Sequence, residues 1–477
     1  MNKESFIKQI EAAKALNLET VNNDAWRNTY HIEAPIGWIN DPNGLCYFKG
    51  EYHVFYQYSP LDAKGGLKFW GHYTSKDLVN WTEHEIALYP DTAADIDGVY
   101  SGSALIHNDE MYLFYTGNVK HEGDYDYILT GREQNVIMVK STDGYHFSDK
   151  KVLLKNSDYP SNMGQHVRDP KVWSEDGIFY MVLGARTVDD LGAVLLYKST
   201  DLNNWTYVST PAGHENDMGF MWECPDLLQV DEERIFIFSP QGMEPEGLKY
   251  QNVYQCGYAM ASLNEDKKVL NLGKFEELDR GFDFYAPQTF EAPDGRVMMF
   301  GWVGVPDAHM HVNPTVENGW QHSLTIPRVL NVKNNKLYQT PAKELEIMRQ
   351  NEMNISSFEL DGLKTVEMVN QNAFELIIDV ENAKHLKINF RQNLGLSYEN
   401  NVFTLTQGEA GYGRDERACT LETLEQIRIF SDSSCIEIYL NHGSEVFTTR
   451  QYDSELNPTI TLQGEATLSL TKWDLNK

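Results

Sequence analysis

The 477-residue chain is short of positive charge: 40 Lys and Arg stand against 70 Asp and Glu, a formal net charge of −30. Nucleic-acid binding rests on a basic footprint that neutralises phosphates, so that class of partner is not expected. No apolar run approaches 18 residues, and no membrane span is expected. The first twenty residues, MNKESFIKQIEAAKALNLET, mix charges into a helical pattern and hold no uninterrupted apolar stretch of the secretory kind. The protein is therefore expected in the cytoplasm. Cysteine is scarce: Cys46, Cys224, Cys256, Cys419 and Cys435 are odd in number and scattered, with no CxxC pair, which speaks for reduced thiols and against a zinc or redox motif. A P-loop, an HExxH helix, a GxSxG elbow and an EF-hand loop are all missing, so nucleotide, zinc-protease, serine-esterase and calcium chemistry lack support. The acid clusters at 91–97 and 124–126 read as solvated loops, and neither a metal nor a cofactor is expected.

What the chain does have is a repeat. Between about residues 40 and 305 an aromatic-rich strand, a tight turn and a second aromatic strand recur five times, with turns near Gly50, Asn108, Asp176, Asp231 and Asp294. A second marker runs in phase, a Ser-x-Asp followed by an aromatic: Ser75, Asp77, Trp81; Ser141, Asp143, Phe147; Ser199, Asp201, Trp205; a weaker copy begins at Ser262. Units of this length built from short β-branched and aromatic strands fit the four-stranded blades of a β-propeller. The competing reading is a sandwich or barrel whose hairpins merely look alike. The expected fold is all-β: an N-terminal helical extension (1–30), a five-bladed propeller (31–335), a polar linker (336–354) and a C-terminal β-sandwich (355–477).

The repeat also places distant residues together. Counting back about seven to nine residues from each turn gives Asp41, Ser101, Asp169, Glu223 and Tyr285. Equivalent positions on innermost strands ring one axis, so three acids are expected to converge in a funnel. Like charges in a partly dry site repel and persist where function requires them. Prolines follow Asp41 and Asp169 directly and Glu223 at one remove, which stiffens each frame. Glycoside hydrolysis needs two carboxyl groups in different protonation states, one ionised to attack and one protonated to release the leaving oxygen. Glu223, longer and beside Trp222, is the better proton donor on the expectation that an apolar ring disfavours its ionised form. Asp41, near Asn40 and turn amides, is the better nucleophile, and Asp169, next to Arg168, an acceptor for sugar hydroxyls.

At these residues the sequence resembles glycoside hydrolase family 32, the invertase, sucrose-6-phosphate hydrolase and fructanase family. WINDPNG at 38–44, RDP at 168–170, ECPD at 223–226 and DFYAPQTF at 283–290 match its signature blocks in order. The resemblance implies a five-bladed propeller with a β-sandwich. It also implies Asp41 as nucleophile, Glu223 as general acid and base, and Asp169 as transition-state stabiliser. By the same similarity Asn40, Gln57, Trp70, Ser101, Arg168, Asp283 and Trp302 would line the fructose pocket. Ile39 and Tyr100 depart from the residues common at those positions, and Tyr100 bears on the pocket wall.

The implied reaction is retaining hydrolysis of terminal β-D-fructofuranosides through a fructosyl-enzyme. The expected partner is a small sugar: sucrose, sucrose-6-phosphate or short fructo-oligosaccharides. The DFYAPQTF block leans towards the phosphorylated sugar, for which Arg186, His309 and His311 are candidate contacts. Fructosyl transfer, fructan trimming and a sugar-binding protein without turnover are the rival readings; oligomeric state is not readable from the sequence.

Overall fold

Each hairpin of the sequence repeat forms the two inner strands of a sheet, and five such sheets surround one axis. The computed structural model describes residues 2–213, 218–308, 313–411 and 413–477. Blade 1 is built from Gly37–Phe48, Glu51–Ser59, Phe69–Ser75 and Trp81–Glu83, and blade 2 from Val99–His107, Glu110–Lys120, Arg132–Ser141 and Lys151–Leu154. Blade 3 runs from Met163–Glu175 through Ile178–Thr187 and Gly192–Ser199 to Thr206–Gly213. Blade 4 contains Met221–Val230, Glu233–Gln241, Gly257–Leu263 and Leu270–Leu272, and blade 5 Tyr285–Glu291, Val297–Val303, Arg328–Lys333 and Lys336–Pro341. The circle closes where Trp320–Gln321, arriving from blade 5, pairs in parallel with Gly37 and Trp38.

The Ser-x-Asp marker is the turn between the third and fourth strands. Ser75, Ser141 and Ser199 each donate to the Asp two residues on, and that carboxylate caps the backbone amides that follow. In blade 4 the turn uses Asn264 instead, whose side-chain oxygen accepts from the amides of Lys268 and Val269. That substitution explains why the fourth copy is weak in sequence.

The helix Lys3–Asn22 is capped by Asn2 and buries Phe6 and Ile10 against blade 1. The C-terminal domain is a β-sandwich around Phe374, Leu376, Ile388, Phe403, Ile429, Ile438 and Leu468. Its long strand Phe374–Arg391 serves both layers: the first half pairs with Gln426–Ser431, the second with Leu394–Glu399, while Thr459–Leu475 runs along its other edge.

The expected linker at 336–354 is not one. Lys336–Pro341 is the outer strand of blade 5, a 3-10 turn covers Lys343–Met348, and Arg349–Glu367 is already the first sandwich strand. An outer strand is half solvated and alternates buried with partly exposed positions, so its composition reads as polar connection.

Propeller and sandwich are held together by a buried ionic network. Arg328 of blade 5 binds Glu437 of the sandwich at 2.6 Å and Asp279 at 3.1 Å, and all three are buried. His31, just before blade 1, lies between Asp432 (2.8 Å) and Glu437 (3.1 Å). Removing one member of such a set leaves its partners buried and uncompensated. Arg328→Ala is expected to cost about 3–5 kcal/mol, read as a fall in the denaturant midpoint; a loss below about 1 kcal/mol would mean the network adds nothing to domain cohesion.

Candidate active site

All five innermost strands carry the same irregularity. In each, two residues stand opposite one on the second strand: between Ile39 and Pro42, Val99 and Gly102, Arg168 and Lys171, Glu223 and Asp226, and Tyr285 and Gln288. A two-against-one bulge breaks the alternation of side chains and turns extra ones towards a single side. Asp169, Cys224 and Ala286 adopt left-handed backbone here, with φ of 63°, 48° and 47°, a conformation costly for residues with a Cβ and concentrated at functional sites. Judged by the bulges, the three acids do not occupy one repeat position: Glu223 precedes its bulge, Asp169 opens its own and Asp41 is the second residue of its own.

Asp41, Ser101, Asp169, Glu223 and Tyr285, one residue from each blade, nonetheless line a single axial cavity of about 240 Å³. Asn40, Gln57, Arg168 and Trp302 line it too, with Trp38, Lys68, Tyr100, Arg132, Gln241, Pro306 and Asp307.

Asp41 accepts from Ser101 Oγ at 2.5 Å and Asn40 Nδ2 at 3.0 Å. Behind them Trp38 Nε1 donates to Asn40, Asn40 to Gln57 (2.6 Å), and Gln57 to Ser101 (2.7 Å), closing a ring of hydrogen bonds that fixes the carboxylate. The frame is anchored by Asn43, fully buried, which donates to the Asp41 carbonyl and accepts from the Gly102 amide of blade 2. Burial raises the Asp41 carboxyl above its ordinary value, opposed by the Ser101 and Asn40 bonds and reinforced by Glu223.

Asp169 is buried and accepts from the Cys224 amide at 2.9 Å; the Cys224 thiol lies 3.6 Å from Asp169 and 3.9 Å from Asp41. Burial raises Asp169 as well, with Arg168 opposing and Glu223 and Asp41 adding repulsion. Arg168, however, turns its guanidinium to Glu223, at 2.5 Å from Oε1, and its nearest approach to Asp169 is 3.9 Å. On Glu223 the second oxygen accepts from Tyr285 Oη (2.7 Å) and Gln241 Nε2 (2.8 Å). The apolar neighbour expected at Glu223 is absent: Trp222 points to the opposite side of the strand, packs on Phe236 and Phe238, and donates to the Met218 carbonyl. Successive residues of a strand face opposite ways, so adjacency in sequence separates these two.

Two expected pocket residues lie behind the wall. Trp70 is fully buried on the third strand of blade 1, where its Nε1 donates to the Tyr100 carbonyl at 3.0 Å and so supports the Ser101 segment. Asp283 is fully buried and bound by two sandwich arginines, Arg450 at 2.7 Å and Arg414 at 3.0 Å. Arg450 in turn reaches His322 (3.2 Å), whose ring packs edge-on against Trp38 and Trp302 of the cavity wall. Asp283 thus acts through the sandwich rather than on the pocket. Arg186 is not among the lining residues; it stacks on Phe220 and pairs with Asp190. His309 and His311 lie outside the described residues.

Lys68, Arg132, Gln241 and Asp307 had no motif to announce them. Lys68 lies 4.9 Å over the Trp38 ring, and burial pulls its ammonium down to about 7 although Asp41 and Asp62 attract it. Among the described residues the one group within reach of a shared metal is His31, Cys435 and Glu437. Both nitrogens of His31 are already engaged by Asp432 and Glu437, so the set serves the domain interface.

Residues 31–341 match the family model for the glycosyl hydrolases family 32 N-terminal domain, and residues 333–474 that for the family's C-terminal domain. The chain belongs to glycosyl hydrolase family 32. The sucrose-6-phosphate hydrolase of Bacillus subtilis (strain 168) is 39% identical over 465 residues, 95% of each chain. Among solved structures, the sucrose-6-phosphate hydrolase of Lactobacillus gasseri superposes with a TM-score of 0.88 at 28% identity, covering 98% of this chain and 96% of that one. The β-fructofuranosidase of Bombyx mori gives 0.86 at 29% identity over 100% and 99%, and a mutant of it has been solved in complex with sucrose. The family makes the protein a glycoside hydrolase.

Arg414 and Arg450 hold the Asp283 carboxyl far below the usual carboxylate range, against the opposing effect of burial. A depressed native value contributes stability that is present in full above the unfolded value near 4 and lost as pH falls below it. Asp283→Asn is therefore expected to cost about 3 kcal/mol at pH 7, with the gap to wild type narrowing between about pH 4 and pH 2. Denaturant unfolding at both ends of that range reads it, and a pH-independent gap would rule out the carboxylate charge as the cause.

Proposed function

We propose that the protein hydrolyses terminal non-reducing β-D-fructofuranosides with retention of configuration, its substrate being sucrose or sucrose carrying a 6-phosphate on the departing glucose. The observation that carries this reading is the pairing of two carboxyl groups in one cavity, each with a different set of partners. Asp41 is held by a neutral hydroxyl and a neutral amide and, among the described residues, has no bonded cation. Glu223 is held by Arg168, Tyr285 and Gln241.

Asp41 attacks the anomeric carbon of the fructosyl unit while Glu223 gives its proton to the glycosidic oxygen. Loss of that proton leaves a carboxylate whose negative charge Arg168, Tyr285 and Gln241 are already oriented to receive. Water then enters the vacated leaving-group space, Glu223 takes its proton, and the fructosyl-Asp41 ester is cleaved. Asp169, buried across the Cys224 thiol from Asp41, accepts hydrogen bonds from ring hydroxyls as the sugar flattens. The names of the relatives support the phosphorylated substrate. A sugar phosphate does not leave a cell unaided, and five free, buried thiols suit a reducing compartment, so we place the enzyme in the cytoplasm.

Glu223→Gln is expected to lower turnover about 10²- to 10⁴-fold while fructoside binding, read by calorimetry, survives; near-normal turnover would sink the assignment. The first fructose released should be the β-anomer, which proton NMR at early times reports, whereas α-fructose would exclude Asp41 as nucleophile. Product analysis at high sucrose separates hydrolysis from transfer, and hydrolysis is the expected result.

A further inference from the structure

Arg132 opens the third strand of blade 2 and borders two spaces at once, the axial cavity with the three acids and an outer cleft lined by His121, Thr130, Lys155 and Gln165. It therefore stands between the two spaces, sharing the axial cavity with Trp38, Asn40, Gln57 and Ser101, the residues proposed to hold the fructosyl unit. Among the described residues its guanidinium makes no ion pair or hydrogen bond, and its Nε is buried without an acceptor.. This is anomalous in a chain with 70 acids and 40 basic residues. Arg168, the other arginine of the cavity, is consumed by Glu223, and Lys68 faces Asp41 and Asp62. Arg168 lies close enough to disfavour its charge, and Arg132 in turn disfavours a charge on Lys120 and His166, while Glu133, which also lines the outer cleft, pairs with His121. A half-buried guanidinium with no bonded acid is destabilising without an anion to receive. Its planar fork fits a phosphate monoester with two donors.

We propose that Arg132 is the specificity-determining residue that receives the phosphate of a phosphorylated leaving sugar at the mouth of the cavity. This rests on the fructosidase reading above and deepens it. It moves the phosphate contact from Arg186, which spends its charge on Asp190, to a residue bordering the axial cavity. The anion enters with the leaving glucose, is bound in ground state and transition state alike, and departs with glucose 6-phosphate.

The experiment measures kcat/KM for sucrose-6-phosphate and for sucrose in wild type, Arg132→Gln and Arg132→Lys, with glucose 6-phosphate as a product inhibitor. The ratio of the two kcat/KM values cancels any general damage to the fold or to the acids. One charge-assisted contact corresponds to roughly tenfold to hundredfold in affinity. The ratio should fall by about that factor in Arg132→Gln, through KM rather than kcat, and inhibition by glucose 6-phosphate should weaken in parallel. Arg132→Lys should keep part of the preference as a point charge. A wild-type preference left intact in Arg132→Gln overturns the assignment of Arg132 while the phosphorylated substrate stands. A wild type that treats the two sugars alike overturns both the assignment and the phosphorylated substrate, and leaves fructoside hydrolysis untouched.

Discussion

The inner strand of a propeller blade must do two incompatible things: keep a hydrogen-bonded register with its neighbour and aim several consecutive side chains at the axis. The two-against-one bulge resolves the conflict, and every blade uses it at the same height. Adjacent residues that ideal pleating would send to opposite faces are thereby brought into contact with one cavity: Asn40 with Asp41, Tyr100 with Ser101, Arg168 with Asp169. The bulges are also where the blades are stitched together. Asn43 joins blades 1 and 2, Ser103 accepts from blade 3 and donates to it, and Lys171 and Thr289 converge on Asp226 from blades 3 and 5. The ECPD block thus supplies one residue to the cavity and another to hold three blades at fixed spacing.

Among the described residues the sandwich contributes no acid to the cavity, yet it reaches the cavity wall. Arg450 connects Asp283 to His322, and His322 braces the two indoles, Trp38 and Trp302. Trp38 in turn donates to Asn40, the amide that positions Asp41. A chain of packed and hydrogen-bonded groups therefore runs from the second domain to the Asp41 carboxylate, the proposed nucleophile, with buried charges at its origin. This gives the second domain a physical reason to be present in a protein whose cavity acids, among the described residues, all lie in the first.

Much of this was legible in the sequence because the propeller repeats: five hairpins and an in-phase turn marker specified five sheets, and the proline-framed acids fell on innermost strands. The phase was blurred by one or two residues, since a bulge shifts the count without leaving a compositional trace. Trp222 misled because adjacency on a strand means opposition in space. Asp283 misled because its partners, Arg414 and Arg450, are more than a hundred residues away, and a single carboxylate gives no sign of whether it faces a ligand or a guanidinium. Lys68, Arg132 and Gln241 were invisible for a related reason: they sit at strand ends or beside loops, where function depends on tertiary placement alone.

The cavity is made of two kinds of material. Its floor belongs to the bulged inner strands, where each side chain is locked by neighbours in the next blade and where replacing one residue disturbs several. Its mouth is formed by Arg132 after the 121–131 loop and by Pro306 and Asp307 beyond the second strand of blade 5, positions with few such obligations. On the proposed assignments, recognition of the donor sugar and of what is attached to it are under separate control, so that the aglycone preference can drift by changing the rim while the furanoside-splitting machinery beneath is inherited intact.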